Sequence, residues 1–292
     1  MPSVLVLLST YNGEKYLRAF LDSVLSQSGV AVSILIRDDG STDGTAQILG
    51  EYSQRDDIKI LEVGPNLGYA ASFWRLLQNA CNADYYAFAD QDDIWLPEKL
   101  STSIAQISDC AEPSLGSSNV IPVDDSLNRL DIEPFPVHGP LSLAESLKGS
   151  ILPGCTFVFN EGARKIAARY QGFMESHDWA LYAIVTCFGT VRYCDESNIL
   201  YRIHEGNTIG VTSGWQDLCC KVRRFFSPRT NTRSRFAADL LKTYGDCLDK
   251  ENKLVINLVA SSDTSLRGRL RLATSPLFKG TIFKLYALLG RI

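Results

Sequence analysis

The first 110 residues alternate between short apolar runs and amphipathic stretches, and this alternation constrains the fold more than any other feature. Residues 4–9 form a largely apolar run typical of a buried strand, and apolar side chains then recur at helical spacing over residues 16–25. Further apolar runs, each separated from the next by a helical pattern, lie at 32–36, 58–63 and 85–89. Strict alternation of strands and helices is typical of a mostly parallel sheet. The sequence therefore predicts an α/β fold, with a mostly parallel twisted sheet flanked by helices.

The alternation loosens after about residue 109, and beyond Gly214 the pattern becomes helical and basic. We expect two regions: an α/β domain over residues 1–214 and a helical basic C-terminal extension over residues 215–292. Within the first region, the later predicted elements are strands at 117–123, 156–159, 191–193 and 199–202 and a helix at 178–188.

Polar clusters follow three of the predicted strands, at the point where each strand ends. Ser9-Thr10-Tyr11-Asn12 follows the first strand, Asp38-Asp39 the second and Asp90-Gln91-Asp92-Asp93 the fourth. Ligands of open α/β sheets bind at the carboxyl ends of the strands, so we expect the three clusters to converge on one edge.

The acidic turn at residues 90–93 is the first candidate for chemistry. Carboxylates separated by one residue at a strand end can hold a hard cation such as Mg²⁺ or Mn²⁺, which commonly bridges protein oxygens to phosphates. The alternative is a solvated acidic turn that caps the next helix. Asp38 and Asp39 leave the same choice open, because Asp-Gly-Ser-Thr-Asp-Gly is also good turn chemistry.

Four motifs follow one another in order along the chain. They are Ser9-Thr10-Tyr11-Asn12-Gly13, Asp38-Asp39-Gly40-Ser41-Thr42-Asp43-Gly44-Thr45, Asn66-Leu67-Gly68 and Ala89-Asp90-Gln91-Asp92-Asp93-Ile94-Trp95. Together they resemble the motifs of the family 2 glycosyltransferases of the GT-A fold, over roughly residues 4–210. The form of the acidic motif is similar to the branch that contains many bacterial rhamnosyltransferases of surface polysaccharide synthesis.

The resemblance implies an inverting transfer of a sugar from a nucleotide diphosphate sugar, such as dTDP-rhamnose, to a saccharide or lipid-linked oligosaccharide. It implies that Asp39 contacts the pyrimidine, Asp90 the ribose or donor sugar, and Asp92 a Mn²⁺ or Mg²⁺ ion on the diphosphate. The residues expected to bind the nucleotide sugar are Ser9, Thr10, Tyr11, Asp39, Asn66, Gly68, Asp90 and Asp92.

Glu175-Ser176-His177-Asp178-Trp179 resembles the acidic motif that precedes a helix in this family. The resemblance implies that Asp178 is the catalytic base, the group that removes the proton of the acceptor hydroxyl in inverting transfer. A carboxylate at a helix start is favoured in its ionised form, although a simple N-cap is the commoner role there. Trp95, Gly154 and Trp179 are expected at the acceptor site, and Trp179 has a place in the core as its alternative.

Two histidines accompany these acids. His204 follows the last short predicted strand, where related enzymes often place a loop that closes over the diphosphate, and it is the second candidate metal ligand beside Asp92. Its alternatives are a phosphate contact and a purely structural role. His177 either orients Asp178 or stacks on a neighbouring ring.

Other functional classes fit less well. A sugar nucleotidyltransferase would carry a Gly-rich basic loop near the first strand, which residues 9–14 do not form. A non-catalytic carbohydrate- or nucleotide-binding module remains an alternative, but Asp39, Asp92 and Asp178 are all present. The net charge of -4 argues against a nucleic acid partner. No pair of the eight cysteines has C-x-x-C spacing, so we do not expect a zinc site.

Charge is distributed unevenly. Residues 215–292 contain 15 Lys and Arg against 6 Asp and Glu, on an otherwise acidic chain. Residues 277–289 combine Leu and Phe with Lys and are too short to span a bilayer. We expect a cytoplasmic protein whose C-terminal region either makes a peripheral membrane contact or packs on the catalytic domain.

Overall fold

The computed structural model describes residues 1–132, 137, 140–204 and 231–292, so the boundary predicted near residue 214 lies outside the described residues. The strands are β1 Ser3–Thr10, β2 Ala31–Asp38, β3 Ile58–Val63, β4 Tyr85–Ala89, β5 Ile94–Trp95, β6 Ser114–Val123, β7 Val158–Asn160 and β8 Thr190–Arg202. The helices are α1 Leu17–Leu25, α2 Thr45–Tyr52, α3 Tyr69–Asn79, α4 Lys99–Ala105, α5 Leu143–Ser146, α6 Glu161–Ala168, α7 His177–Phe188, α8 Thr232–Tyr244, α9 Lys250–Ala260, α10 Leu266–Thr274 and α11 Thr281–Leu288.

One sheet of eight strands, in the order β3-β2-β1-β4-β7-β6-β8-β5, organises the molecule. β1 pairs in parallel with β2 and β4, and β2 pairs in parallel with β3, as the alternating sequence pattern predicts. β6 and β8 are also parallel, whereas β7 and β5 run antiparallel to their neighbours. The predicted mostly parallel α/β fold flanked by helices is confirmed.

The second half of the sheet differs in detail from the sequence prediction. Residues 190–202 form one long strand, β8, where the sequence indicated two short ones. Pairing with β6 spans the whole of β8, and two register shifts near Asn119 absorb the polar stretch between the two apolar parts. The predicted strand at 156–159 starts late, because Gly154–Thr156 is a 3₁₀ turn before β7.

Both faces of the sheet are covered by helices, as the alternating side chains of β1 show. Val4, Val6 and Leu8 pack on the side of α1, α2 and α4, while Leu5 and Leu7 pack on the opposite side with α3 and α7. Successive side chains of a strand point to opposite faces, so a strand that is apolar throughout requires cover on both.

The C-terminal region is helical in its described part, and α8–α11 share the core that lies on the α3 and α7 side of the sheet. Phe236, Tyr244, Leu272 and Phe278 are all buried in that core. The Tyr244 hydroxyl also donates a hydrogen bond to the carbonyl of Ile166, at 2.8 Å. Packing on the α/β body, one of the two predicted alternatives, therefore holds for these helices. No helix in the described ranges is both long and apolar enough to cross a bilayer.

Candidate active site

A cavity of about 660 Å³ lies at the carboxyl ends of β1, β2 and β4 and faces the first turn of α7. It brings together the polar clusters that follow these three strands, as the parallel arrangement predicts. Of the residues predicted from the sequence, the cavity is lined by Ser9, Tyr11, Asp39, Asn66, Gly68, Asp90, Asp92, Gly154, Asp178 and His204.

Gln91 joins the loop after β1 to the acidic turn after β4. Its side-chain oxygen accepts a hydrogen bond from the Tyr11 backbone N–H at 3.0 Å, and its amide nitrogen donates to the Tyr11 carbonyl at 2.8 Å. Gly13 lies so close that a Cβ there would meet the Gln91 amide at 2.3 Å. The side chain that interrupts the acidic motif therefore fixes the position of Tyr11, an exposed ring on the cavity wall.

The two aspartates after β2 have different environments. The Asp38 carboxylate is buried and accepts hydrogen bonds from the Thr10 hydroxyl at 2.9 Å and from the Ser41 backbone N–H at 3.0 Å. These bonds tie the ends of β1 and β2 together. Asp38 therefore holds the turn, and Asp39 is the member of the pair that lines the cavity.

Asp39 is held by the buried guanidinium of Arg37, with which it forms an ion pair. Its two carboxylate oxygens also accept the backbone N–H groups of Leu67 at 2.8 Å and Gly68 at 2.9 Å. The loop after β3 is thereby fastened to the end of β2. A carboxylate offers about four acceptor positions, so Asp39 retains capacity to accept from a ligand.

Three carboxylates converge inside the cavity. Burial, together with the charges of Asp92 and Asp178, raises the pKa of Asp90 to about 7. Close like charges in a poorly hydrated site disfavour ionisation, and a divalent cation or a bound cationic group relieves that repulsion. The site is therefore electrostatically suited to receive a cation.

Asp92 and His204 meet on the wall of this cavity, 112 residues apart in the chain. His204 Nε2 lies 2.9 Å from Asp92 Oδ2, and both side chains are largely buried. The pair brings one carboxylate oxygen and one imidazole nitrogen within hydrogen-bond distance of each other. Asp90, Asp93 and Cys155 form a second cluster with ligand atoms within 4.8 Å of one another.

The first pair fits Mg²⁺ or Mn²⁺ better than the second cluster does. Hard cations prefer oxygen ligands, and burial near the acidic turn raises the pKa of the Cys155 thiol, which keeps it protonated. Asp93 is itself committed to the fold, since one of its oxygens accepts the Arg202 backbone N–H at 3.2 Å. A metal held by Asp92 and His204 would also face the cavity, where a diphosphate has room.

Tyr16 positions the segment that carries His204. The Tyr16 ring stacks on His204 with 5.1 Å between ring centroids, and the Arg202 guanidinium lies 4.6 Å from the same ring. The Tyr16 hydroxyl donates to Asp125 at 2.6 Å, and Arg202 donates through Nε to the Asp92 carbonyl at 2.8 Å. The end of β8 is thus anchored to both α1 and the acidic turn.

Asp178 lies in the first turn of α7, where its Oδ1 accepts the backbone N–H of Trp179 at 2.8 Å. No hydrogen bond to Oδ2 is found among the described residues, and Asp178 lines the cavity. Gly154 makes room for it, because a Cβ at that position would lie 2.7 Å from the Asp178 Cβ. The N-cap position of α7 is Ser176 rather than Asp178, so Asp178 is an acidic residue of the first helical turn that also lines the cavity.

His177 stacks on Phe73, with 4.0 Å between centroids and an interplanar angle of 15°. It contacts Phe88 edge-on, and burial lowers the pKa of its imidazole to about 4. The ring is therefore neutral at physiological pH. Of the two predicted roles, stacking is the one that the structure shows.

Three predicted site residues do not line the cavity. Thr10 is fully buried in its bond to Asp38. The Trp95 ring packs edge-on against Phe20 in the core. The Trp179 indole donates to the carbonyl of Ser146 at 2.6 Å and is likewise buried. Both indole rings therefore lie in the core. The predicted acceptor-site position is wrong for Trp95, and for Trp179 the alternative position in the core holds.

Several residues of the site escape sequence reasoning. Arg37 could have been identified from the sequence, because a charged residue in a predicted buried strand requires a partner. Tyr16, Asp125 and Arg202 had none, because their contacts join positions more than 70 residues apart. Residues 150–153 and Tyr69 also line the cavity, and they lie outside the four sequence motifs.

The glycosyl transferase family 2 model matches residues 5–171, which include the sheet edge and the acidic turn. The chain belongs to this family. The protein is therefore a glycosyltransferase, which excludes the nucleotidyltransferase and non-catalytic alternatives, and an inverting mechanism is general to the family.

Two curated bacterial relatives are similar to this chain in sequence. The dTDP-rhamnosyl transferase RfbG of Shigella flexneri is 31% identical over 220 residues, covering 70% of this chain and 73% of RfbG. The putative teichuronic acid biosynthesis glycosyltransferase TuaG of Bacillus subtilis is 33% identical over 162 residues, covering 54% of this chain and 61% of TuaG.

Solved structures support the fold. The structure of residues 1–349 of S. aureus TarS in complex with UDP-GlcNAc is similar with a TM-score of 0.60 at 15% identity, covering 99% of this chain and 88% of that one. The mannosyltransferase PcManGT of Pyrobaculum calidifontis, in complex with GDP-Man and Mn²⁺, gives a TM-score of 0.50 at 15% identity and covers 99% and 86%. The predicted GT-A architecture is thereby confirmed.

The clamp formed by Gln91 generates a prediction for this glycosyltransferase. Gln91→Ala removes two hydrogen bonds to the Tyr11 backbone, each contributing about 1 kcal/mol. Because Tyr11 lines the cavity, we expect the dissociation constant of the donor nucleotide to rise about tenfold. Isothermal titration calorimetry measures it, with Gln47→Ala on the exposed side of α2 as a matched control. Unchanged affinity in Gln91→Ala would remove this role.

Proposed function

We propose that the protein transfers a sugar, with inversion, from a nucleotide diphosphate sugar to a saccharide or lipid-linked oligosaccharide in bacterial surface polysaccharide synthesis. The donor that the relatives favour is dTDP-rhamnose, because RfbG is named for it. The observation that carries the proposal is the convergence of Asp39, Asp92, His204 and Asp178 on one cavity. A screen of nucleotide sugars for hydrolysis with Mn²⁺ or Mg²⁺ tests the donor.

Each side chain that lines the cavity has a role in the proposed reaction. The nucleoside lies along the edge of β1 and β2, where Asp39 accepts from the pyrimidine N–H and Ser9 and Tyr11 line the pocket. Asn66 and Gly68 close this side of the cavity. Asp90 faces the ribose or the donor sugar from the acidic turn. A divalent cation on Asp92 and His204 would neutralise the charge that develops on the leaving diphosphate.

The transfer itself is a single displacement. The acceptor hydroxyl oxygen forms a bond to the anomeric carbon, and the bond from that carbon to the diphosphate oxygen breaks, so that the nucleoside diphosphate leaves with the electron pair. The proton of the hydroxyl passes to Asp178 Oδ2. Gly154 leaves room for this carboxylate, because a side chain at that position would collide with Asp178. In the same proposal, Gly154 also contacts the acceptor.

The metal assignment predicts that chelation abolishes transfer. EDTA should remove activity, and added Mn²⁺ or Mg²⁺ should restore it. Asp92→Ala should weaken nucleoside diphosphate binding and make the remaining binding independent of metal, because the carboxylate that joins cation to protein is lost. Calorimetric titration with and without metal measures both effects, with Asp56→Ala on the exposed surface as the control. Full activity in chelator would overturn the assignment.

The base assignment predicts a separation of binding from turnover. Asp178→Asn keeps the size of the side chain and an oxygen that can accept from Trp179 N–H, but it cannot take up a proton. We expect kcat to fall by at least ~10²-fold while the affinity for donor nucleotide stays within twofold. Asp56→Asn is the matched control for the same chemical change on the surface. Near-normal turnover in Asp178→Asn would return the residue to a capping role alone.

We also propose that the protein works at the inner face of the cell membrane through α10 and α11. Leu266 and Leu270 lie one helical turn apart on α10 and are exposed, and Leu285 and Leu288 are similarly spaced and exposed on α11. Residues 264–292 contain six Lys and Arg and no acid. Exposed apolar side chains among cations suit an anionic lipid surface, where each cation contributes ~1 kcal/mol.

Liposome flotation tests the membrane proposal. The wild type should float with vesicles that contain phosphatidylglycerol, and less so at high salt, because screening weakens the attraction. Leu285→Gln with Leu288→Gln should remain in the soluble fraction, whereas Leu254→Gln, at a leucine of α9 that is more exposed than either, should still float. Substitutions are preferable to a truncation of the C-terminal region, because Phe278 and Ala287 are buried in the core and their removal would disturb the fold. Failure of the wild type to float would leave these leucines without this role.

A further inference from the structure

A second groove, of about 620 Å³, borders the cavity on the side of α3. It runs along the length of α3 and the loop that precedes α7. Gly68 and Tyr69 line both the groove and the cavity. Small-molecule sites in proteins range from about 300 to 1,000 Å³, so the groove is large enough to be a binding site in its own right. The two spaces therefore adjoin at Gly68 and Tyr69.

We propose that this groove binds the non-reacting sugar units of an extended, uncharged saccharide acceptor. The inference rests on the proposed transfer reaction and specifies the class of acceptor. The terminal sugar of the acceptor lies beside Asp178, and the units that follow cross Tyr69 and enter the groove.

Tyr69 stands at the junction of the two spaces. Its ring contacts His177 edge-on at 6.0 Å, its hydroxyl donates to the Glu175 carbonyl at 3.4 Å, and 39% of the residue is exposed. The negative charge of Asp178 contributes to a raised pKa of Tyr69, after the larger effect of burial. An exposed aromatic ring thus lies next to the proposed base, where it can cover the apolar face of a sugar ring.

The groove combines apolar and amide surfaces. Leu67, Ala71 and Met174 supply apolar walls, and Gln78 and Gln171 supply amide groups from opposite sides. Sugar rings present C–H faces and a rim of hydroxyls, which such a mixture of apolar and hydrogen-bonding groups matches.

The charge of the groove favours an uncharged ligand. Arg75 lines it, but its guanidinium is paired with Glu62 at 2.8 Å. A phosphate would have to compete with this carboxylate, and it would meet no other cationic side chain among the residues that line the groove. A neutral saccharide can bind without displacing Glu62 from Arg75.

Kinetics with acceptors of different length test the proposal. The probes are p-nitrophenyl glycosides with one, two and three sugar units and the same terminal sugar. For the wild type, we expect KM to fall at least tenfold from one unit to three. Ala71→Trp fills the groove and should abolish this gain, while KM for the single unit and the rate of donor hydrolysis stay within twofold. Gln171→Ala should lose part of the gain.

The matched controls are Ala46→Trp and Gln47→Ala, at exposed positions of α2 that do not line the groove. They should behave as the wild type does. If the wild type hydrolyses donor but KM is independent of acceptor length, or if Ala71→Trp keeps the full gain, the groove proposal is overturned and the proposed function stands. If no donor is hydrolysed, the proposed function fails, and calorimetric titration with the trisaccharide glycoside decides on the groove: no difference between wild type and Ala71→Trp overturns it.

Discussion

The parallel pairing of β1 with both of its neighbours is the constraint on which the site depends. Thr10 is in register with Asp38 on one side and Leu8 with Ala89 on the other, so three chain segments leave the sheet at one edge. Backbone hydrogen bonds fix this register, and a slip by one residue would turn every side chain to the other face. Buried residues on both faces make such a slip costly. The core thereby sets which polar groups meet at the edge.

Buried polar contacts then convert three loose loop ends into one surface. Arg37 contacts Asp39, Glu62 and the carbonyl of Pro65, and so connects β2 with the loop after β3. Gln91 connects the loops after β1 and β4 in the same way. A buried charge without partners would be strongly destabilising, so these contacts support the fold and order the cavity at the same time. Preorganised polar groups are what an electrostatically demanding reaction requires.

The sequence predicted the local part of this arrangement well. Strand positions followed from apolar runs. Residues after β1, β2 and β4, such as Ser9, Asp39 and Asp92, line the cavity because strand ends in a parallel sheet converge, whereas Gly154, Asp178 and His204 reach it from other elements. The sequence left Trp179 with two alternatives, the acceptor site and the core, and it indicated only the acceptor site for Trp95. Their burial depends on distant partners, since Phe20 and the Ser146 carbonyl receive them. The contacts of Tyr16 with His204 and Asp125 depend in the same way on tertiary structure that no local pattern encodes.

The packing of Trp179 has a consequence for how such enzymes diversify. Its ring lies 4.6 Å from Phe236 of α8, and Trp179 is the residue directly after Asp178. The C-terminal helices therefore form part of the wall behind α7. A chimaera that exchanged these helices between relatives would change the packing behind Asp178 as well as the surface of the C-terminal region. Inheritance of the C-terminal region as a detachable module is accordingly disfavoured, and changes there should be accompanied by compensating changes in α7.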